Sequence, residues 1–274
     1  MTPEILWATS LPAKDDAGAQ AARVASWGGR VQSFNDAEEA AALVAAAAEI
    51  VPVARSGRKS LGKPVPFLAD ILDHQHAAAA AVLGIVNADI ALEANAAERA
   101  WLMAASQSGL VCIRRTDVAD ATAPLAGGTQ LPQGFDAFLY PSRMIPALRA
   151  EGFCLGMPFW DFWMPAAAVL AGYPVIVVTA PVARHVIHPT RWDASAPVFM
   201  QVFIQALTLA AAAAKPPMLS ALLTHQVAVV RGLAELAAAN GDAANLLNGV
   251  YDDFQRRILG VIAATAREVA EIPL

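Results

Sequence analysis

The sequence is poor in cysteine and carries no sign of an export signal. Its two cysteines, Cys112 and Cys154, are far apart, form no C-x-x-C pair and lie among apolar residues. We therefore interpret them as buried thiols in a reducing compartment. The first residues lack a positively charged stretch followed by an apolar one, so no secretory signal is expected. These absences predict a cytoplasmic protein.

Two common phosphate-binding motifs and any excess of positive charge are also missing. Neither G-x-G-x-x-G nor a P-loop occurs, which argues against a dinucleotide-dependent oxidoreductase and against a P-loop phosphotransferase. The chain has 19 Lys and Arg residues against 24 Asp and Glu residues, a formal net charge of −5, and no long basic run. Nucleic acid is therefore not an expected partner.

One segment resembles a membrane span but departs from that pattern. Residues 194–214 carry no charge and approach spanning length. However, Gln201 and Gln205 share one helix face, Pro197 lies near the start, and the second half is mostly alanine. A helix packed within a folded protein is the better interpretation of this segment.

What the chain does contain is an alternation of strand and helix patterns over its first two thirds. At 274 residues, of which 57% are hydrophobic, it is long enough to bury a substantial core. The alternation predicts an α/β domain over residues 1–193, with a mostly parallel sheet between helices, and a C-terminal helical extension over 194–274. The predicted strands are 4–10, 30–34, 50–54, 82–86, 110–114, 135–140 and 175–179. The predicted helices are 17–27, 37–49, 66–75, 96–107, 141–149, 197–214, 218–239 and 243–269.

The most informative stretch is the apolar run that begins at Val82 and stops at Asn87-Ala88-Asp89. Its residues are typical of a strand buried on both faces of a parallel sheet. Ligands bind beyond the carboxyl ends of such strands, where Asn87 and Asp89, two residues apart, point the same way. Since hard divalent cations prefer oxygen ligands, this pair is a candidate metal corner. A strand followed by an ordinary polar turn is the alternative interpretation.

Two histidines, His185 and His188, follow the last predicted strand. An imidazole from either is a candidate ligand for a metal that Asp89 also binds. Two histidines three residues apart do not by themselves make a metal site, and a lone histidine is more often structural. The prediction therefore depends on these segments meeting at one edge of the sheet.

A basic segment, RSGRKSLGKPVP over residues 55–66, follows the third predicted strand. Arg55, Lys59 and Lys63 are candidate ligands for a diphosphate or a nucleotide base edge. Ser10 and Lys14, at the end of the first strand and just beyond it, are further candidates for contact with a nucleotide. The alternative is that both segments are solvent-exposed polar loops.

The densest aromatic cluster of the chain surrounds Asp161 in FCLGMPFWDFW, residues 153–163. A carboxylate in a partly desolvated aromatic pocket has a raised pKa and suits a general base. Aromatic rings such as that of Trp160 also stack on sugars. The alternative makes Asp161 the N-cap of a helix over 166–170 and the aromatic residues ordinary core. The two interpretations are compatible.

In their order along the chain, these motifs resemble those of GT-A-type glycosyltransferases, and more narrowly a glycosyltransferase-like family of the nucleotide-diphospho-sugar transferases. The resemblance extends over about residues 5–192 and leaves the C-terminal helices unexplained. Each motif is short, and their shared order carries the resemblance. The matching segments are Gln20, Ser26-Trp27, residues 55–66, Asn87 to Ile90, Arg114-Arg115 with Asp117, Gly134 to Phe138, Gly156 to Trp163, and His188.

The resemblance implies a GT-A-like, Rossmann-type fold, a nucleotide-diphosphate-sugar donor and a divalent metal, Mn²⁺ or Mg²⁺. It implies that Asp89 is a metal ligand at the last position of a D-x-D-like element. Asn87 stands at the first position of that element, with the loss of one negative charge. His188 matches the C-terminal metal-binding histidine of the family, and Asp161 matches the catalytic base of its inverting members.

The resemblance therefore predicts a metal-dependent glycosyltransferase that acts on a small molecule or a glycan, with Asp136 and Trp160 on the acceptor side. A nucleotide-sugar-binding or scaffold protein without activity is the alternative that Asn87 favours. A sugar-1-phosphate nucleotidyltransferase would need a Gly-rich phosphate loop after the first strand, where LPAKDD stands. The amphipathic C-terminal helices are expected to contact the α/β body, a second copy of the chain or a membrane surface.

Overall fold

A computed structural model describes residues 4–43, 48–78, 80–131, 134–188, 196–213, 217–239 and 243–273. Within these ranges the chain forms nine strands and ten α-helices. The strands are β1 (Ile5–Thr9), β2 (Arg30–Asp36), β3 (Glu49–Val53), β4 (Val82–Val86), β5 (Ile90–Leu92), β6 (Leu110–Val118), β7 (Phe135–Tyr140), β8 (Val175–Val186) and β9 (Arg267–Val269). The helices are α1 (Ala17–Trp27), α2 (Ala37–Ala42), α3 (Arg58–Leu61), α4 (Leu68–Ala77), α5 (Ala96–Ser106), α6 (Ile145–Leu148), α7 (Trp160–Leu170), α8 (Ala196–Ala212), α9 (Pro217–Ala239) and α10 (Ala243–Thr265).

These strands form one mixed, mostly parallel sheet. They lie in the order β3-β2-β1-β4-β7-β6-β8-β5, and β9 pairs with β8. Strands β1 to β4 are parallel, β7 runs antiparallel between β4 and β6, and β8 is parallel to β6. The carboxyl ends of β1 to β4, β6 and β8 therefore meet the start of β7 at one edge of the sheet, called the carboxyl edge below.

The sheet is buried because its central strands are apolar along their length. Every residue of β1, β4 and β7 is buried, as expected for strands covered on both faces. One hydrophobic cluster joins strand residues to α4, α6, α7, α8 and α10, and the other joins them to α1 and α5. This arrangement confirms the predicted α/β fold class.

Several predicted boundaries are correct, but the helix predicted over 37–49 is shorter than predicted. The bounds of α1, β4 and β7 are those predicted, and Asp36 caps α2 by accepting a hydrogen bond from the Glu38 amide at 3.2 Å. The helix predicted over 37–49 ends at Ala42, because Glu49 pairs with Gln32 as the first residue of β3. The intervening residues 44–47 lie outside the described residues.

Strand β8 extends to Val186, whereas the sequence predicts its end at residue 179. Pro181, Arg184 and His185 interrupt the apolar pattern, so the local sequence contains no strand signal there. Pairing supplies the missing stabilisation, because this half of β8 pairs with β6 on one side and with β5 on the other. The extension brings His185 to the carboxyl edge.

The C-terminal segment returns to the sheet. The last helix, predicted to reach residue 269, ends at Thr265, and Arg267–Val269 form a strand parallel to β8. Helix α8 packs into the core as predicted, with Phe199 and Phe203 fully buried. Over the described ranges, no helix combines the length and the apolar character that crossing a membrane requires.

Both cysteines are free and buried, as predicted. Burial raises the pKa of both thiols, that of Cys154 to about 12. They therefore stay protonated and are poor nucleophiles.

Candidate metal and substrate site

The three predicted metal ligands meet at the carboxyl edge. Asp89 Oδ2 lies 3.3 Å from Nε2 of His188 and 3.5 Å from Nε2 of His185. One ligand atom from each of the three residues lies within 4.8 Å of the other two. A carboxylate oxygen and two imidazole nitrogens at this spacing are able to share one divalent cation.

Strand pairing explains why these residues converge. His185 pairs with Ile90 of β5 on one side and with Asp117 of β6 on the other. Asp89 directly precedes Ile90, so the antiparallel pairing of β5 with β8 brings its carboxylate to His185. The extended half of β8 therefore positions one ligand and, through β5, a second.

Strand β5 is itself held in place by the end of α1. Trp27 Nε1 donates to the Ile90 carbonyl at 2.8 Å, and the Leu92 amide donates to Ser26 Oγ at 2.9 Å. The Ser26-Trp27 motif thus anchors the strand that follows Asp89. The sequence shows this pair of residues but contains no local signal for the contact, since its partners lie more than 60 residues away.

The electrostatics of the cluster suit a cation. Burial raises the pKa of Asp89, but hydrogen bonds and charge from His185 and His188 outweigh it and lower the pKa to about 2. Burial lowers the pKa of His185, but the hydrogen bond and charge of Asp89 outweigh it and raise the pKa. Asp89 Oδ1 is shielded from solvent and has no hydrogen-bond partner among the described residues. An ionised carboxylate with an unsatisfied oxygen fits a metal ligand.

A chain of charged and polar groups connects His185 to Asn87. Asp117 Oδ1 lies 2.8 Å from His185 Nδ1 and 2.9 Å from Arg115 Nε. Arg115 Nη1 pairs with Asp136 Oδ2 at 3.1 Å, and Asn87 Nδ2 donates a hydrogen bond to Asp136 Oδ1. Burial raises the pKa of Asp136, and the charge of Arg115 opposes that rise. Arg115 and Asp117 are visible in the sequence as charged residues near the end of a predicted strand, but only the strand register reveals their contacts.

Asp161 lies in the first turn of α7, close enough to Asp136 and Arg115 to interact with their charges. Burial raises the pKa of Asp161 well above its usual range, and the negative charge of Asp136 adds to the rise. Helix α7 begins at Trp160, so Asp161 is not the N-cap of a helix over 166–170. The N-cap is Phe159, whose φ of 72° is the one positive value for a non-glycine residue in the described ranges. Such strain is often found at functional sites.

The aromatic residues around Asp161 belong to the core. Trp160 is 2% exposed and contacts Phe138 edge-on, with 5.3 Å between ring centroids. Two further rings of this cluster, those of Phe159 and Phe162, contact Phe203 of α8. Because its ring is enclosed, Trp160 shapes any neighbouring pocket through packing and does not present a face for a sugar.

The basic segment lies at the end of the edge strand β3. Arg55 pairs with Asp70 of α4 and, at 3.4 Å, with Glu151. Lys59 is exposed on α3, and Lys63 is half-buried. In the strand order, β2 and β1 separate β3 from β4, and β5 and β8 lie beyond β4, so this segment is not part of the metal cluster.

The loop after β1 is fixed by polar side chains of β2. The Leu11 amide donates to Ser33 Oγ at 2.8 Å, and Asn35 Nδ2 donates to the Leu11 carbonyl at 2.9 Å. Ser10 is half-buried at the end of β1, beside β4, and Lys14 is exposed beyond it. Both residues therefore lie at the carboxyl edge, between the metal cluster and the basic segment.

No protein-family model matches the chain, and no curated protein sequence matches it significantly. A mannosyltransferase from Pyrobaculum calidifontis, solved in complex with GDP-Man and Mn²⁺, matches with a TM-score of 0.51 at 15% identity, over 96% of this chain and 87% of that one. A mannose-1-phosphate geranyltransferase from Thermus thermophilus gives a TM-score of 0.31 at 13% identity, over 68% of this chain and 74% of that one. The first similarity shows a shared fold, and the second is too weak to define one.

Proposed function

We propose that this protein is a divalent-metal-dependent glycosyltransferase of the GT-A type, which transfers a sugar from a nucleotide-diphosphate-sugar to an acceptor hydroxyl. The observation that carries the proposal is the convergence of Asp89, His185 and His188 at the carboxyl edge, where open α/β sheets bind their ligands. The fold shared with a mannosyltransferase that was solved with GDP-Man and Mn²⁺ supports it.

Asp89, His185 and His188 are the proposed ligands of the metal. The unsatisfied Asp89 Oδ1 atom and the neighbouring imidazole nitrogens fit such a role. Two nitrogen ligands favour a transition metal over Mg²⁺, which prefers oxygen. Mn²⁺ is the ion proposed, because the mannosyltransferase of shared fold was solved with it. When bound, a divalent cation neutralises negative charge on the departing diphosphate.

Asp161 is the proposed base, which accepts the proton of the acceptor hydroxyl. Its raised pKa makes it a stronger base than an exposed carboxylate once it is ionised. This role belongs to an inverting reaction, and a retaining reaction would not need it. The acceptor, a small molecule or a glycan, then binds on the side of Asp136 and Asp161.

The donor nucleotide is proposed to lie across the ends of β1 to β3. Ser10 and Lys14 are its proposed contacts near the metal cluster, and Lys59 and Lys63 are those at the far side. Arg55 is a weaker candidate than these, because Asp70 and Glu151 already neutralise its charge. Asn87 is proposed to act on the donor indirectly, since its amide donates to Asp136.

The first test is a thermal-shift screen of nucleoside diphosphates with and without Mn²⁺, followed by turnover of a nucleotide-sugar panel that includes GDP-mannose. A ligand at about 100 times its Kd adds about 2.7 kcal/mol to the free energy of unfolding, so we expect a clear Mn²⁺-dependent rise in Tm. Asp89→Ala is expected to remove both this rise and turnover.

The matched control is Asp120→Ala, because this carboxylate accepts hydrogen bonds only from Thr122 and Ala123 among the described residues. It is expected to keep both the Tm rise and turnover. A full Tm rise together with normal turnover in Asp89→Ala would contradict the proposal.

A nucleotide-sugar-binding protein without transferase activity is the second candidate. Asn87 favours it, because an amide at this position carries no negative charge, whereas an aspartate there would. The Asn87 side chain also donates a hydrogen bond to Asp136. This candidate predicts a Tm rise with a nucleoside diphosphate but no turnover of any donor. Product formation with a single donor would exclude it.

A further inference from the structure

We propose that Asp117 is a positioning residue for metal binding, which fixes the orientation and the tautomer of His185 so that Nε2 faces Asp89. The inference rests on the proposed function, because it assigns Asp117 to the same site. It adds a residue that is neither a proposed ligand nor a proposed substrate contact.

The contact between Asp117 and His185 is built into the sheet. The two residues are register partners in the parallel pairing of β6 with β8, so their side chains emerge next to each other. Asp117 Oδ1 lies 2.8 Å from His185 Nδ1, while His185 Nε2, on the opposite side of the ring, lies 3.5 Å from Asp89 Oδ2. The side chains of Asp117 and His185 are 12% and 8% exposed, so water competes little for this hydrogen bond.

This geometry determines which nitrogen carries the proton. An ionised carboxylate only accepts hydrogen bonds, so a neutral His185 must hold its proton on Nδ1 to satisfy Asp117. The lone pair is then on Nε2, the nitrogen that faces Asp89. A carboxylate behind a ligating imidazole also increases the basicity of the ring toward a cation. The negative charge of Asp117, next to His185, thus partly compensates for the charge that an uncharged Asn87 does not supply.

Asp117 is itself held from two directions. Its backbone amide donates to the Thr129 carbonyl at 2.8 Å, and its carbonyl accepts from the Thr129 amide at 3.0 Å. Arg115 pairs with its carboxylate and also with Asp136, the partner of Asn87. The backbone contacts do not depend on the side chain, so a substitution at position 117 can change the carboxylate without removing the strand.

Asp117→Asn tests the inference, because the amide keeps the size of the side chain but loses the charge and can offer either a donor or an acceptor to Nδ1. We expect the affinity for Mn²⁺, measured from the EPR signal of free Mn²⁺, to fall about 10–100-fold. Asp120→Asn, the same change in the turn that follows β6, is expected to bind Mn²⁺ like the wild type.

Two further measurements separate positioning from a general effect on folding. In a double-mutant cycle, Asp117→Asn is expected to cause no further loss of Mn²⁺ affinity once His185→Ala is present. In ¹⁵N NMR of the metal-free protein at alkaline pH, the His185 proton is expected on Nδ1 in the wild type and partly on Nε2 in Asp117→Asn. Unchanged affinity, additive losses or an unchanged tautomer would overturn the inference. If the wild type bound no Mn²⁺, the proposed metal site would fail, and the NMR comparison would still show whether Asp117 fixes the tautomer of His185.

Discussion

Among the residues of the site, the pKa values of two carboxylates are shifted in opposite directions. Asp89 is kept ionised by two imidazoles, whereas burial and the charge of Asp136 favour the protonated form of Asp161. Carboxyl groups whose pKa values are pushed apart are suited to different roles, here those of ligand and base. Both residues could be singled out from the sequence, because each stands in a distinctive local pattern.

The partners of these residues could not be predicted in the same way. Asn87 lies beside Asp136 where β4 meets β7, because the backbone amide of Asn87 donates to the backbone carbonyl of Asp136 at 2.9 Å. Asp117 reaches His185 through the register of β6 with β8. Register between strands that are distant in sequence depends on the packing of the whole sheet, so no local spacing reveals it.

Asp161→Asn is expected to stabilise the metal-free protein at neutral pH while it removes turnover. Since the pKa of Asp161 is raised in the fold, folding favours its protonated form. The stability that depends on this group is therefore complete below the pKa of the unfolded chain, about 3.9, and declines as the pH rises through the raised value. Asparagine is neutral at every pH, so the Tm advantage of the variant should be near zero in acid and should grow as the pH rises.

The measurement is a series of melting curves against pH, combined with turnover, which should fall about 10²–10⁴-fold if Asp161 is the base. Asp120→Asn is the control with the opposite sign. Hydrogen bonds from Thr122 lower the pKa of Asp120, so this variant should lose a little stability above acidic pH and keep its turnover. An Asp161→Asn protein that was less stable than the wild type at every pH would contradict the argument.

Among the helices and strands, the predicted bounds are correct where a local sequence pattern determines the element. They are wrong where pairing with a distant strand determines it. Strand β4 and helix α1 match their predicted bounds because an apolar run and a helix pattern that stops at Gly28-Gly29 are visible in the sequence. The second half of β8 and all of β9 have no such pattern, and their pairing with distant strands overrides the local preference. The half of β8 that could not be predicted is the one that carries His185.

The anchoring of β5 by α1 predicts a coupled effect on stability and metal binding. Trp27→Phe removes the indole donor and leaves the Ile90 carbonyl, which is buried, without this partner. We expect a loss of about 1–3 kcal/mol in the free energy of unfolding. Mn²⁺ affinity should fall as well, because Asp89 directly precedes the loosened strand. Denaturant unfolding and EPR titration measure the two effects.

Trp101→Phe is the matched control for this prediction. Trp101 lies on α5, is half-buried and packs against the same hydrophobic cluster as Trp27. Within the described part of the chain, it makes no contact with β5 that resembles the Trp27 hydrogen bond. The control should lose some stability and keep its Mn²⁺ affinity, and equal Mn²⁺ affinities in the two variants would speak against anchoring through Trp27.

For the whole molecule, the division into residues 1–193 and 194–274 stays a prediction, and the packing argues that the two parts unfold together. Strand β9 adds the C-terminal segment to the sheet beside β8. Phe203 of α8 contacts Phe159 and Phe162 near the start of α7 and Phe254 of α10. One hydrophobic cluster therefore contains residues from both parts of the chain.

Phe203→Ala tests this coupling. The side chain is fully buried, so its truncation should cost about 3–5 kcal/mol in the free energy of unfolding. If the core is shared, calorimetry should show one transition that moves as a unit to lower temperature, and the Mn²⁺-dependent Tm rise should act on that same transition. Leu209→Ala, a change at a 69% exposed position of the same helix, should shift stability by less than about 0.5 kcal/mol. Two separate transitions, of which only one moved in Phe203→Ala, would instead make residues 194–274 an independent domain. The start of α7, and with it Asp161, would then not depend on the C-terminal helices for its position.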